Sequence, residues 1–321
     1  MTVSTPPPRL PATAPFHWLT GALKLIGARP GALLGVALAL VCGVGALLLL
    51  VSFLVGLGLR PAGGDASAPV DLSAARGVLL PLFALSLMAP QWVGGGLSVV
   101  LHALAEGRAV TLGTAVAALR ERWLALATLA LLPALLFAAY LVLYRVFGGE
   151  TFLAQYMGAM QEAMRTGRVP PPPEAAHPGL LTLGLMLANW LIYTLQLLVP
   201  AHVAVGGHGP LAAIGAALRA FVRHLPAMMV AGGLGGALLM AAAMLTLVVL
   251  VPVAAVSAVS PGLGQLVSLA ALAMLGACFA LGWSAVGYVA WRTTLGAGPA
   301  APGAGDGALD TRTAAQGRIE V

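Results

Sequence analysis

Residues 211–229 read LAAIGAALRAFVRHLPAMM. Leu211, Ile214, Leu218, Phe221 and Leu225 recur at alternating intervals of three and four residues, so they fall on one stripe of a helix. Arg219 and Arg223, one turn apart, and His224 lie off that stripe. Pro210 suits a first helical position, and Pro226 marks a break or a bend. Beyond it no charge occurs from Leu225 to Val259, enough chain to cross a bilayer. The stretch predicts a basic amphipathic helix on a membrane surface, joined by a bend to a spanning helix.

The same pattern occurs twice upstream. Phe16, Leu19, Leu23 and Ile26 form a stripe with Lys24 off it, Trp18 suits the headgroup layer, and Arg29-Pro30 closes the segment. Leu112, Val116, Leu119 and Trp123 form another, with Arg120 and Glu121 off it, Arg122 at its end and Thr111 as the N-cap. Each precedes a long apolar run. Composition agrees, because the 321 residues are 60% hydrophobic and 8% charged, with a mean hydropathy of +0.97. Soluble domains carry about a quarter charged residues, so a soluble fold is excluded. The net charge of +6 is scattered over short loops, which points to anionic lipid and away from nucleic acid.

Six spans follow: 31–59, 77–105, 123–147, 179–205, 225–259 and 265–291. The first is about 43 Å long at 1.5 Å per residue, against a hydrocarbon core of about 30 Å, so it tilts, bends or emerges. Arg60 to Arg76 reads as a loop, and Ser260-Pro261-Gly262 as a tight turn. Gly148 to Pro178 is the longest interruption. It carries a helical stripe of Leu153, Met157, Met160 and Met164 and then four prolines, an extended spacer. Residues 1–13 and 296–321 are expected to be disordered arms around a membrane domain at 14–295. Arg9, Lys24, Arg29, Arg108, Arg120, Arg122, Arg219, Arg223, Arg292, Arg312 and Arg318 collect on one side. Only Arg60, Arg76, Arg145, Arg165 and Arg168 collect on the other, which puts both termini and the three surface helices in the cytoplasm.

The fold class is therefore an all-α integral membrane bundle. It has six transmembrane helices and three cytoplasmic amphipathic helices in a parallel threefold repeat, with units at about 14–105, 109–205 and 209–291. Trp92, Trp190 and Trp283 mark the second span of each unit, and His102 with Gly107 and His202 with Gly207 close the first two. The inverted repeats of many secondary transporters are missing. HWLTGALKLIGARPGALL, LAEGRAVTLGTAVAALRERW, PLAAIGAALRAFVRHLPAMM and the closing GYVAWRTTLG resemble an uncharacterised family of bacterial six-span inner-membrane proteins. That family is akin to the YciC-like proteins and to the membrane domain of some glycerophosphoryl diester phosphodiesterases. The resemblance implies a bacterial inner membrane and this topology; it implies no activity.

No Asp or Glu lies inside a span, which argues against proton or sodium coupling, because such a group is the usual cation site. HExxH, GxSxG and P-loop patterns are absent, so no enzyme, metal or cofactor is expected. Cys42 and Cys278 read as small apolar packing residues. His102 and His202 sit within pairing distance in topology, without the close spacing of a zinc site. The glycines at 94–96 and the Gly232-x-x-x-Gly236 pair read as close helix contacts. Gln91, Asn189 and Gln196 remain as polar residues in spans. They either line a small cavity or tie helices together by hydrogen bonds. The expected function is non-enzymatic, a structural or interaction role in which Lys24, Arg29, Arg120, Arg122, Arg219 and Arg223 contact anionic lipid, a membrane partner or a second copy. The alternative is a permease or lipid-handling protein with Gln91, Asn189 and Gln196 along its path.

Overall fold

The computed structural model describes residues 9–58, 72–166, 171 and 173–296. They form α1 (Ala14–Ala28), α2 (Pro30–Gly58), α3 (Leu72–Ala105), α4 (Leu112–Thr128) and α5 (Leu131–Leu143). The last runs into a π turn at Tyr144–Gly148. Then follow α6 (Phe152–Thr166), α7 (Pro178–Ala204), α8 (Pro210–Arg223), α9 (Leu225–Val259) and α10 (Pro261–Thr294). No strand occurs among the described residues.

Six helical runs are long and apolar enough to span: α2, α3, the α4–α5 run, α7, α9 and α10. Their outer faces are bulky and apolar. On α9 alone Met240, Met244, Leu247, Val248 and Val251 are all more than half exposed. Patches of that size on a soluble monomer would drive aggregation, whereas hydrocarbon solvates them. This is a multi-pass membrane protein.

Bends fall where the sequence forces them. Arg29 takes φ −148°, ψ 64° because Pro30 denies it the helical region. Arg122 at φ −122°, ψ 15° and His224 at φ −111°, ψ 31° make the other two bends between a short helix and a span. Pro133 has no N–H for the carbonyl of Leu129, which accepts from Leu132 at 3.0 Å instead, so the third span is broken in two. Ser260 alone separates α9 from α10, with Pro261 at the first helical position.

The buried core sits at one end of the bundle. It takes Leu33 to Leu40 from α2, Val93 to Leu101 from α3, Ile192 to Ala204 from α7, Ala227 and Met228 from α9, and Ala277 to Trp291 from α10. α1, α4 and α8 pack around this end, with Gly21 of α1 against Val289 of α10. Small residues permit the closest approaches. A Cβ on Gly95 would come 2.7 Å from Leu126 of α4, and one on Gly287 would come 2.5 Å from the carbonyl oxygen of Leu197 on α7.

Several sequence expectations need correction. α3 starts at Leu72, not Gly77, while residues 59–71 of the expected loop lie outside the described residues. Trp18 does not face outward as an interfacial tryptophan would; it is 2% exposed in the core, with Ala14 and Ala22 on its helix face and α10 packed against α1. On α9 the useful glycine spacing is Gly232 and Gly235. Gly232 seats the indole of Trp190, Gly235 seats that of Trp283, and Gly236 faces open space. Cys42 and Cys278 are exposed on outer helix faces and pack nothing inside.

At the N-terminus the expected arm is ordered from residue 9, and the Leu10 N–H donates to Nδ1 of His224 at 3.1 Å. Residues 1–8 and the tail from 297 lie outside the described residues. In the long interruption α6 forms as expected, held by Phe152 and Tyr156 stacked on Tyr144. The side chains of Met160 and Met164 and prolines 170 and 172 lie outside the described residues. The returning chain is pinned where the His177 N–H donates to the Phe147 carbonyl at 2.8 Å.

Candidate functional site

Two places gather polar side chains inside the bundle. The first is a cavity of about 160 Å³ between α3, α7, α9 and α10. Pro90 and Gln91 reach it from α3 together with Gly94 and Ser98 on the next turns, as an i, i+3, i+4 row should. Tyr193, Gln196, Leu197 and Pro200 face it from α7, Leu239 from α9, and Phe279, Trp283 and Ser284 from α10. Tyr193 meets Trp283 edge to face at 6.2 Å, and Phe279 stacks on Trp283 at 6.3 Å, so one wall is aromatic. No charged residue lines it.

Gln91 and Gln196, expected as polar path residues, are brought together here. Asn189 is not. It accepts a 2.5 Å hydrogen bond from the Tyr140 hydroxyl of α5 and donates to the Leu185 carbonyl at 2.8 Å. It therefore ties two helices, and no continuous row of amides runs through the span.

The second place is the packed end. His102 of α3 has Nδ1 3.1 Å from the Tyr288 hydroxyl and Nε2 3.0 Å from Glu106, which also pairs with Arg108. His202 of α7 accepts at Nδ1 from the Trp291 indole N–H at 2.9 Å and stacks on His208, ring centroids 4.1 Å apart. The two histidines thus do not pair with each other; each is latched to an aromatic residue of α10. Gly107 and Gly207, five residues beyond them, both take positive φ (70° and 74°) and end α3 and α7 in the same way. Among the described residues no group of three or more His, Cys, Asp and Glu is placed to hold a metal.

Comparison with known protein families, curated proteins and solved structures finds no match. Function has to be argued from these side chains alone.

Of the expected contact residues, Lys24, Arg29, Arg120 and Arg219 are exposed, and Arg223 is half-buried. Arg122 has a different task. Its Nη1 donates to the Val203 carbonyl at 3.1 Å, where the C-terminal end of α7 carries partial negative charge, and its guanidinium lies over Gly207. It braces α4 against the end of α7 and is not free for lipid. His224 is buried at the α8–α9 bend, and burial, then Arg223 and Arg9, hold it below the ordinary imidazole value. It is therefore neutral at pH 7, as acceptance from Leu10 requires.

Tyr288 and Trp291 were visible only as an aromatic ending, and their histidine partners were not. A ring N–H or O–H inside an apolar run signals a hidden acceptor. Ser98 and Ser284 gave no signal, since a lone serine in a spanning helix ordinarily bonds back to its own turn, as Ser98 does to Gly94 at 2.7 Å.

Proposed function

We propose that this chain is a non-enzymatic protein of a bacterial inner membrane. In this reading it is built of three parallel units whose helices α1, α4 and α8 lie on the cytoplasmic face and engage anionic lipid. The observation that carries the reading is the division of faces on α8. Ala213, Ala217 and Ala220 are buried against the bundle, while Leu211 is 82% and Val222 73% exposed beside exposed Arg219. α1 repeats the division, with Trp18 and Ala22 inside and Phe16, Leu23 and Lys24 outside. α4 does the same with Ala115 inside and Val116, Trp123 and Arg120 outside. Apolar side chains flanked by basic ones suit the boundary between acyl chains and anionic headgroups. The matching bends and αL glycines, and the resemblance to six-span inner-membrane proteins, support the same reading.

The test is hydrogen exchange of α8 in nanodiscs of neutral and of anionic lipid. Anionic lipid is expected to protect α8, and Lys24→Gln, Arg120→Gln and Arg219→Gln together remove that difference, at about 1 kcal/mol per basic residue. Equal protection in both lipids overturns the reading. A second reading, a permease or lipid-handling protein, is favoured by the cavity beside Gln91 and Gln196. Its path does not include Asn189.

A further inference from the structure

We propose that the cavity between α3, α7, α9 and α10 is a binding site for one uncharged, ring-sized molecule that hydrogen-bonds to the amides of Gln91 and Gln196. It is independent of lipid contact by the surface helices and requires no transport. The first support is the state of Gln91. Its side chain is 3% exposed, lines the cavity, and forms no hydrogen bond with the protein among the described residues. Neighbouring polar groups behave otherwise. Ser98 and Thr194 bond to their own helices, and Asn189 is satisfied at both ends of its amide. Among the described residues no buried side-chain nitrogen or oxygen lacks a partner, so the Gln91 amide is open to the cavity, where a small polar molecule can reach it. An amide held this way is set for something that enters.

Size narrows what that is. A volume near 160 Å³ is about that of a cavity known to admit one benzene ring, and well below the several hundred Å³ of sites for drug-sized ligands. Nucleotides, sugars larger than one ring and whole lipids are too large to be taken up whole. Charge narrows it further, because no lining residue is charged and an ion would enter unpaired. The wall of Tyr193, Trp283 and Phe279 suits the face or edge of a flat ring. The two amides offer both donors and acceptors, which match a hydroxyl, carbonyl or amide on the ring's edge. The ligand class is therefore a neutral monocyclic aromatic molecule with at least one such group.

Gly94 supplies the decisive variant. A methyl group there would stand 3.9 Å from both Pro200 Cβ and Ser284 Oγ, ordinary contact, so Gly94→Ala narrows the cavity by one methyl group without disturbing the helices. The experiment titrates the full chain in nanodiscs with phenol, benzamide and benzoate by calorimetry, with empty nanodiscs as the blank. Saturable binding of phenol or benzamide is expected, with benzoate excluded. Gln91→Leu should weaken binding roughly tenfold, the value of one hydrogen bond, and Gly94→Ala should weaken it by taking space from the ring, while Asn189→Leu leaves it unchanged. No saturable binding of either neutral ring overturns the proposal. So does binding that neither Gln91→Leu nor Gly94→Ala weakens, or benzoate held as tightly as benzamide.

Discussion

Gly287→Ala is a severe change at a single atom. The new Cβ would lie 2.5 Å from the Leu197 carbonyl oxygen and 3.4 Å from its carbon. Carbon and carbonyl oxygen settle at about 3.3–3.6 Å, so α10 and α7 must part by about 0.8–1.1 Å. One turn along α10, Trp291 donates to His202 at 2.9 Å. Adding that separation takes the bond to about 3.7–4.0 Å, beyond hydrogen-bonding range. Losing it leaves a buried imidazole nitrogen unpaired, at about 1–3 kcal/mol. Overpacking elsewhere in the contact adds about 1–3 kcal/mol. Against this stands the helix gain of alanine over glycine, about 0.8–1 kcal/mol. Because both costs come from one displacement they overlap, and the net loss is about 2–3 kcal/mol.

The assay is reversible unfolding in mixed micelles, read by loss of helical circular dichroism. Gly282→Ala, on the same helix with nothing within 4 Å of the added methyl, serves as control and should be neutral or stabilising. If the two variants unfold alike, α7 and α10 do not meet at Gly287, and the latch at Trp291 is not held by that contact.

Two further outcomes follow from the packed end. Trp291→Phe removes the indole donor and strands His202, which should cost about 1–3 kcal/mol, and the smaller ring leaves a void at a buried position, which adds to the loss. Tyr288→Phe should cost less, because half-exposed His102 keeps Glu106 as a partner; the same unfolding assay ranks them, and the reverse order refutes the assignment. His224 is pushed below its ordinary value by burial, then by Arg223 and Arg9, so an unfolded chain takes up the proton first as pH falls. Its contribution is complete above about pH 6.5 and is lost on the acid side, where a protonated Nδ1 no longer accepts from Leu10. A nitroxide at residue 10 should become mobile as the pH falls below the ordinary imidazole value of about 6.5. Unchanged mobility, or the same transition in His224→Gln, would refute this.

Span number, the bends after Arg29 and before Pro226, and the turn at Ser260 were legible, because proline chemistry and long uncharged runs are local properties. Thr111 caps α4 as its position implied, accepting from the Thr114 N–H at 3.2 Å. Partners were not legible. Asn189 and Gln196 share a helix face by spacing, yet Asn189 meets Tyr140 and Gln196 meets a cavity, since what faces each turn of α7 is set by other helices. Arg122 looked like its neighbour Arg120. Only the bend at Arg122 itself turns its side chain towards the end of α7.

The apolar stripes carry the deeper lesson. In water a stripe such as Leu211, Leu218 and Leu225 would be the face that packs, because removing it from solvent is the main driving force. Here it is the exposed face, and Ala213, Ala217 and Ala220 make the contact. Where the solvent is hydrocarbon, burying leucine gains little, and helices associate wherever small residues let their backbones come close. On α8, then, the smallest residues make the closest contact and the bulkiest stand outside, although the central helices bury bulky residues such as Leu97, Leu101 and Leu198 as well. The same rule places Gly95 against Leu126, Gly287 against Leu197 and Ala22 beside buried Trp18. It also sets Gly94 apart, a small residue that lines a cavity and meets α7 and α10 only at ordinary contact distance.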